Sequence, residues 1–246
     1  MADQVHRSWL MRKFENAIQR GFMRAYHQVR VDPARFLMHL RSAHSLPISG
    51  YEGVFQLDLR LLDSVAEETI HSGMHLAALQ GAGFGLGGVL TLVPDMSLMA
   101  AITLRTIQKL SLIYGFEFNS DKEIAELWVA TASAAGVDIG RELIEKELVN
   151  KFVPRVIQRI AVSASAEVVE KWAARVIPVL SSVMGAGLNY YFIRAWGARA
   201  KKHFRAKHLE MRQRNYKPST TISGDAGSAQ STPAILPPSR AALTRS

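Results

Sequence analysis

The sequence predicts an all-α protein. Apolar residues recur at three- and four-residue spacing through most of the chain, no segment keeps the strict alternation of a half-buried strand, and glycine or proline separates the periodic segments. The 246 residues are 48% hydrophobic, which allows a sizeable core and excludes a wholly disordered or fibrous protein. We expect a helical domain with two central apolar, glycine-rich helical segments, a basic amphipathic N-terminal helix and a disordered C-terminal tail.

Residues 1–49 are predicted to form the basic amphipathic helical region. Between Val5 and Val29 the apolar residues follow a helical period, and the four arginines Arg7, Arg12, Arg20 and Arg24 fall largely at other positions. Pro33 and Pro47 then mark breaks, because proline lacks the backbone donor that a helix interior needs. Charged residues interrupt the first twenty positions, so we expect no secretory signal.

Residues 50–214 are predicted to form the main all-α domain. A helix is expected from Phe55 to Leu79, and a second from Pro94 to Tyr114, since proline and a following carboxylate favour a helix start. Gly115 then suits a left-handed C-terminal cap.

The later helices are predicted from capping and periodicity. Ser120 and Glu123 fit a capping box, and a further helix is expected from Arg155 to Val176. A basic helix follows the apolar segment that ends at Ile193. Residues 215–246 are rich in Ser, Thr, Pro, Ala and Gly without periodicity, which predicts a disordered tail.

Two uncharged segments, 76–94 and 177–193, lie at the centre of the prediction. Small residues at four-residue spacing allow two helices to approach closely, in lipid or in a buried core. Nineteen residues would span roughly 28 Å, near the hydrocarbon thickness of a bilayer, but five glycines lower the apolarity of the first segment. We favour core packing over a full span. The residues assigned to helix packing or membrane insertion are Gly81, Gly83, Gly85, Gly87, Gly88, Pro94, Asp95, Pro178, Gly185, Gly187 and Asn189.

The run from Gly83 to Gly88 also satisfies the G-x-G-x-x-G pattern of dinucleotide sites. Its context contradicts that function, because a helical pattern precedes it, and Arg105 and Gln108 stand near the position expected for the ribose-binding acid. We therefore expect no nucleotide and no other cofactor.

Charge is distributed unevenly along the chain. The net charge of +9 divides into +5 over residues 1–51, −8 over 52–147 and +11 over 148–217. A cationic helix beside aromatic residues favours the headgroup region of an anionic membrane, with a solvated helix face as the alternative. Nucleic acid is not expected, since no nucleic-acid motif is present. The residues assigned to anionic lipid or a partner are Arg194, Arg199, Lys201, Lys202, Arg205 and Lys207.

Candidate catalytic groups are few. Zero cysteines exclude disulfides, thiolate metal sites and cysteine nucleophiles, and permit a reducing compartment. Glu67, His71 and His75 share one helical face at metal-ligand spacing, although exposed polar residues on an amphipathic helix explain them more simply. The sequence favours a non-enzymatic protein, with no assigned metal site.

Several short motifs occur in a fairly specific order and spacing. They are Gly81 to Gly88, Val93-Pro94-Asp95, Tyr114-Gly115-Phe116, Glu123 to Trp128, Ile177-Pro178, and Gly185 to Asn189 before a basic helix that ends in Phe204-Arg205. Together, over roughly residues 50–210, these motifs resemble the EcsC protein family. The resemblance implies an α-helical protein associated with membranes or with an ABC transporter, and it implies no settled reaction.

From charge, apolar segments and resemblance we expect a cytoplasmic protein, peripheral to or partly inserted in a membrane. Its expected partners are anionic lipid and a transporter subunit. The alternatives are a metal-dependent enzyme that uses Glu67, His71 and His75, and a soluble adaptor that binds only protein.

Overall fold

The computed structural model describes residues 2–84, 92–139, 148–173 and 181–215. Within these ranges every regular element is helical, which confirms the predicted all-α fold. These helices belong to one compact unit that extends to Asn215. They are α1 (Ala2–Gln28), α2 (Pro33–His44), a 3-10 helix (Tyr51–Gln56), α3 (Leu59–Phe84), α4 (Leu92–Ile113), α5 (Asp121–Ala134), α6 (Val149–Ala173) and α7 (Ser181–Asn215).

Helix α4 is the centre of the bundle and packs against α1, α3, α5 and α7. Its face toward the core is mostly apolar, with Leu104, Ile107 and Leu110 at most 1% exposed. The same helix also buries four polar residues, Thr103, Thr106, Gln108 and Ser111. The buried amide of Gln108 fixes the chain that follows α1, because it accepts from Val31 N at 2.8 Å and donates to Val29 O at 3.1 Å. Both hydrogen-bonding ends of this buried side chain are thereby satisfied.

The helical period predicted for α1 is confirmed. Phe14, Ile18 and Phe22 are buried, and Arg20 and Arg24 on the other side are exposed. Phe22 packs between two tryptophans, stacked on Trp196 at 5.7 Å and edge-on to Trp128 at 6.5 Å between ring centroids. The apolar face of α1 therefore belongs to the core of the bundle, where it contacts α4 and α6.

Helix α2 was not predicted, because the proline at Asp32-Pro33 was taken to indicate only a break. These residues instead start a helix. Asp32 Oδ1 accepts a hydrogen bond from Ala34 N at 2.9 Å, and Pro33 occupies the first turn. Ser45 ends the helix in a left-handed conformation at φ 52°.

The remaining boundaries agree with local signals. Gly115 has φ +89°, as a left-handed cap requires, and Ser120 and Glu123 form the predicted capping box.

Two helices have other boundaries than predicted. Helix α3 begins four residues later and ends five residues later than predicted. Helix α6 begins at Val149 rather than Arg155 and includes Pro154, because its buried face already starts before the proline.

The predicted packing and insertion residues fall into two groups. Gly85, Gly87, Gly88 and Pro178 lie outside the described residues, as does the predicted tail from 216 onward. The others lie in helical backbone at the end of α3 or the start of α4 or α7: Gly81, Gly83, Pro94, Asp95, Gly185, Gly187 and Asn189. Over the ranges that can be described, no helix is both long and apolar enough to cross a membrane.

Candidate functional site

Helices α3 and α7 form an antiparallel pair that places most of the predicted functional residues. The two helices can approach closely because Gly73 and Gly197 stand at their contacts. An added Cβ would lie 3.2 Å from the Ile193 side chain at Gly73 and 3.0 Å from the Ile70 side chain at Gly197. From one end to the other, the contacts are Asp63 with Arg205, Glu67 with Lys201, Ile70 with Gly197 and Gly73 with Ile193.

Half of the eight Lys and Arg residues of α7 form ion pairs with other described helices. Four of the six residues predicted to bind anionic lipid form ion pairs with carboxylates of α3, α5 or α6, and Arg199 also donates to Ala134 O at 2.8 Å. Arg194 and Lys202 are exposed and have no ion pair among the described residues. The four pairs are Arg199 with Glu167, Lys201 with Glu67, Arg205 with Asp63 and Lys207 with Glu126.

A polar network surrounds Asp63 at the end of the bundle where α3 begins. The hydroxyl of Tyr114 donates to Asp63 Oδ1 at 2.7 Å, and Arg205 Nε donates to Asp63 Oδ2 at 3.0 Å. Burial raises the pKa of Asp63, but these hydrogen bonds and the Arg205 charge outweigh burial and lower the pKa below its ordinary value. Burial together with the Asp63 carboxylate raises the pKa of Tyr114.

His208 extends this network into the core. Its side chain is fully buried, its Nδ1 lies 2.9 Å from Tyr114 O, and its ring stacks on Phe55 at 4.9 Å between centroids. The raised pKa keeps the Tyr114 hydroxyl protonated, and both carboxylate oxygens of Asp63 already accept hydrogen bonds within the bundle. The network therefore fixes α7 against α3 and α4.

A second set of cations lies between α1 and α4 and lacks carboxylate partners. Lys13, Arg20, Arg24 and Arg105 are exposed, and Lys109 is half-buried. We call these five residues, together with Trp9, the α1–α4 cationic surface. Spacings of 4, 7 and 4 residues place Trp9, Lys13, Arg20 and Arg24 on one side of α1.

Two side-chain contacts and the direction of the helices connect the residues of this surface. Lys13 Nζ lies 4.4 Å from the ring centroid of Trp9, which is 42% exposed, and Arg24 Nη1 lies 3.4 Å from Ser97 Oγ on α4. Arg105 follows Ser97 by about two helical turns. Helix α1 runs parallel to α4, because Gly21 lies against Met96 and Val31 against Gln108.

Lys109 is the half-buried member of this surface. Burial lowers the pKa of Lys109, and the neighbouring Arg105 guanidinium lowers the pKa further. Lys109 Nζ lies 5.7 Å from the ring centroid of Phe36. Within the described ranges, none of the five cations of this surface forms an ion pair. The sequence predicted α1 as a basic amphipathic helix, whereas Arg105 and Lys109 of α4 were assigned no binding role.

The metal candidates are not brought together. Glu67 is paired with Lys201 at 2.7 Å, and the side chains of His71 and His75 are exposed. No group of three or more His, Asp or Glu side chains in the described ranges has an arrangement that could hold a metal ion.

One end of the α3–α7 pair exposes large apolar side chains. Leu76 and Leu79 follow Gly73 on α3, and Tyr190 and Tyr191 precede Ile193 on α7, so all four lie toward the same end. Leu79 is 75% exposed. We call these four residues the apolar end.

The described residues form an all-helical bundle with an exposed cationic surface and an exposed apolar end. A family model described as the EcsC protein family matches residues 9–209, and the chain therefore belongs to the EcsC family. The match begins within α1 and so includes a helix that the motifs of the sequence analysis did not cover.

Two relatives from Bacillus subtilis (strain 168) are similar to parts of the chain. "Uncharacterized protein YdbA" is 26% identical over 148 residues, 56% of this chain and 54% of the relative. "Protein EcsC" is 28% identical over 116 residues, 47% of this chain and 49% of the relative. The chain thus spans about half the length of the curated relatives it matches. No solved structure matches the chain.

Proposed function

We propose that this EcsC family protein is a non-enzymatic peripheral protein of the cytoplasmic face of a membrane, and that it docks on anionic lipid through the α1–α4 cationic surface. The observation that carries the proposal is the contrast between two sets of basic residues. Most cations predicted to bind lipid on α7 have carboxylate partners, whereas the five cations between α1 and α4 have none within the described ranges.

The composition of the α1–α4 cationic surface favours lipid headgroups. A lysine or arginine near an anionic bilayer contributes about 1 kcal/mol of binding free energy. Tryptophan is enriched at the interface between lipid and water, and Trp9 lies beside Lys13 on the surface. Arg194 and Lys202, the two exposed cations of the predicted α7 set, can add to this attraction without breaking an internal ion pair.

Binding to vesicles of defined charge tests the proposal. We expect the protein to bind vesicles containing 40% phosphatidylglycerol more tightly than pure phosphatidylcholine vesicles. The triple variant Arg20→Gln, Arg24→Gln, Arg105→Gln removes three exposed cations and should weaken binding by up to about 100-fold, since three contributions of about 1 kcal/mol are lost.

The matched control removes the same net charge elsewhere. Arg60, Lys122 and Lys151 are exposed and lie outside the α1–α4 cationic surface, so Arg60→Gln, Lys122→Gln, Lys151→Gln should weaken binding far less. Equal effects of the two triple variants would mean that net charge alone attracts the protein. An absence of binding to anionic vesicles would instead favour the soluble adaptor.

A transporter subunit is the protein partner implied by the family resemblance, and we retain it as part of the proposal. The exposed cations Arg194 and Lys202 leave α7 able to meet an acidic partner surface. Pulldown from detergent-solubilised membranes with the wild-type protein and with Arg194→Glu, Lys202→Glu tests this partner. Recovery of the same proteins with both baits would remove α7 from the interface.

A further inference from the structure

The apolar end raises a separate question, because large hydrophobic side chains are exposed there to the extent that the described residues show. Leu76 and Leu79 are 46% and 75% exposed, and Tyr190 and Tyr191 are 38% and 37% exposed, although the Tyr191 hydroxyl donates to Glu167 on α6. These side chains lie around the same end of two neighbouring helices, unlike the scattered apolar residues that are normal on a protein surface.

Beyond these residues both helices continue without charge. Neither 76–84 of α3 nor 181–193 of α7 contains Asp, Glu, Lys or Arg, and the first charged residue after this stretch of α7 is the exposed Arg194. A tyrosine pair between an uncharged segment and an arginine has the order of residues found where a protein crosses from hydrocarbon to headgroup. Helix α4 begins beside the end of α3 and brings one acidic residue, Asp95, in its first turn.

The same end of the molecule carries the start of the α1–α4 cationic surface. Helix α1 runs parallel to α4, and α3 runs antiparallel to α4, since Gly73 lies against Ile102 and Thr106 while Asp63 accepts a hydrogen bond from Tyr114 just beyond the end of α4. The N-terminal part of α1, with Trp9 and Lys13, is therefore directed toward the end where Leu76 and Leu79 lie. Apolar side chains at the end and cations along the adjoining side suit the boundary between acyl chains and anionic headgroups.

We infer that the apolar end inserts into the acyl-chain boundary of an anionic bilayer, with Leu79 below the phosphates and the opposite end of α3 in water. The inference rests on the proposed function and deepens it, because it names the part of the protein that enters the lipid. Insertion of one end of the bundle does not require a spanning helix.

Helix α3 offers a matched pair of positions for the test. Leu61 and Leu79 are both exposed, and 18 residues separate them, so they lie on the same side of α3 about 27 Å apart. The chain contains no cysteine, so Leu79→Cys or Leu61→Cys can each be labelled uniquely. The label is an environment-sensitive fluorophore, measured with 40% phosphatidylglycerol vesicles and a water-soluble quencher.

Vesicle binding and label depth are read separately in this experiment. We expect bound Leu79→Cys to show a blue-shifted emission and at least a fivefold loss of quenching, and bound Leu61→Cys to remain as quenchable as in solution. Equal quenching of the two labels on bound vesicles would overturn the insertion and leave docking intact. Protection of the Leu79→Cys label without vesicles would assign the apolar end to protein contact and overturn the inference.

Charge substitution provides a second readout that needs no label. Leu79→Asp and Leu61→Asp change exposed residues and add the same charge, so neither should disturb the core. We expect Leu79→Asp to weaken vesicle binding at least tenfold relative to Leu61→Asp. Equal binding of these two variants would contradict insertion, and failure of wild-type protein to bind would overturn the proposed function as well.

Discussion

His208 is a residue whose protonation the fold opposes. Its Nδ1 faces the carbonyl oxygen of Tyr114, which can only accept, so Nδ1 carries the proton in the neutral ring. Nε2 has no hydrogen-bond partner among the described residues. Burial lowers the pKa of His208, and the Arg212 charge lowers it further, although the Tyr114 carbonyl and Asp63 act in the opposite direction.

This lowered pKa predicts that acid destabilises the protein. The ordinary pKa of histidine is about 6.5, so below that pH the unfolded chain binds a proton that folded His208 excludes. The contribution of His208 to the free energy of unfolding is fully present above about pH 6.5 and is lost progressively as the pH falls toward the lowered pKa of the folded state. Urea unfolding between pH 7.5 and 5 should show this loss. The loss of stability on acidification should be smaller in His208→Asn, which keeps a donor near Tyr114 O. The loss should persist in the control His27→Asn, which changes an exposed residue.

At the scale of elements, glycine lets the described helices approach closely at Gly21, Gly73 and Gly197. Close contacts within the glycine-rich segment stay a prediction, because most of that segment lies outside the described residues. The two kinds of neighbour differ. A Cβ on Gly21 would lie 2.7 Å from the backbone oxygen of Met96, and a Cβ on Gly197 would lie 3.0 Å from the Ile70 side chain.

We predict that Gly21→Ala and Gly197→Ala have unequal effects on the free energy of unfolding. Alanine gains about 1 kcal/mol of helix propensity at either position. At Gly21 the backbone of α4 must shift, so a net loss of about 1–2 kcal/mol is expected from overpacking. At Gly197 the isoleucine can change its rotamer, so the net change should be close to zero. Urea denaturation of both variants tests this order, and a stabilised Gly21→Ala would contradict it.

Local signals explain which elements the sequence predicted. The capping box at Ser120 and Glu123 and the left-handed Gly115 act over a few residues, so α5 and the end of α4 could be located. The role of the α7 cations depends on partners far away in sequence. Lys201 and Glu67 are 134 residues apart, and only the packing of α3 against α7 reveals that this cation is neutralised within the bundle.

At the scale of the whole molecule, the charge blocks of the sequence acquire a structural meaning. Acidic residues of the block 52–147 pair with cations of the C-terminal block, through Asp63, Glu67 and Glu126. Several cations of α7 are thus neutralised by ion pairs with other helices, whereas most cations of the N-terminal block and Arg105 of α4 are exposed. Under the function proposed above, the cations of α1 and α4 that lack ion pairs among the described residues meet the lipid, and a lipid-binding role for the exposed α7 cations stays a prediction.

Fractionation of cells expressing the protein tests this view of the whole molecule. At low salt we expect the protein in the membrane pellet, with soluble and integral marker proteins as controls. Washing at 1 M salt shortens the screening length to about 3 Å and should release only part of the protein, because screening does not weaken apolar contact. Alkaline carbonate should release the rest, in keeping with shallow insertion. Retention until detergent is added would require a spanning segment outside the described residues, and full solubility at low salt would contradict docking on the membrane.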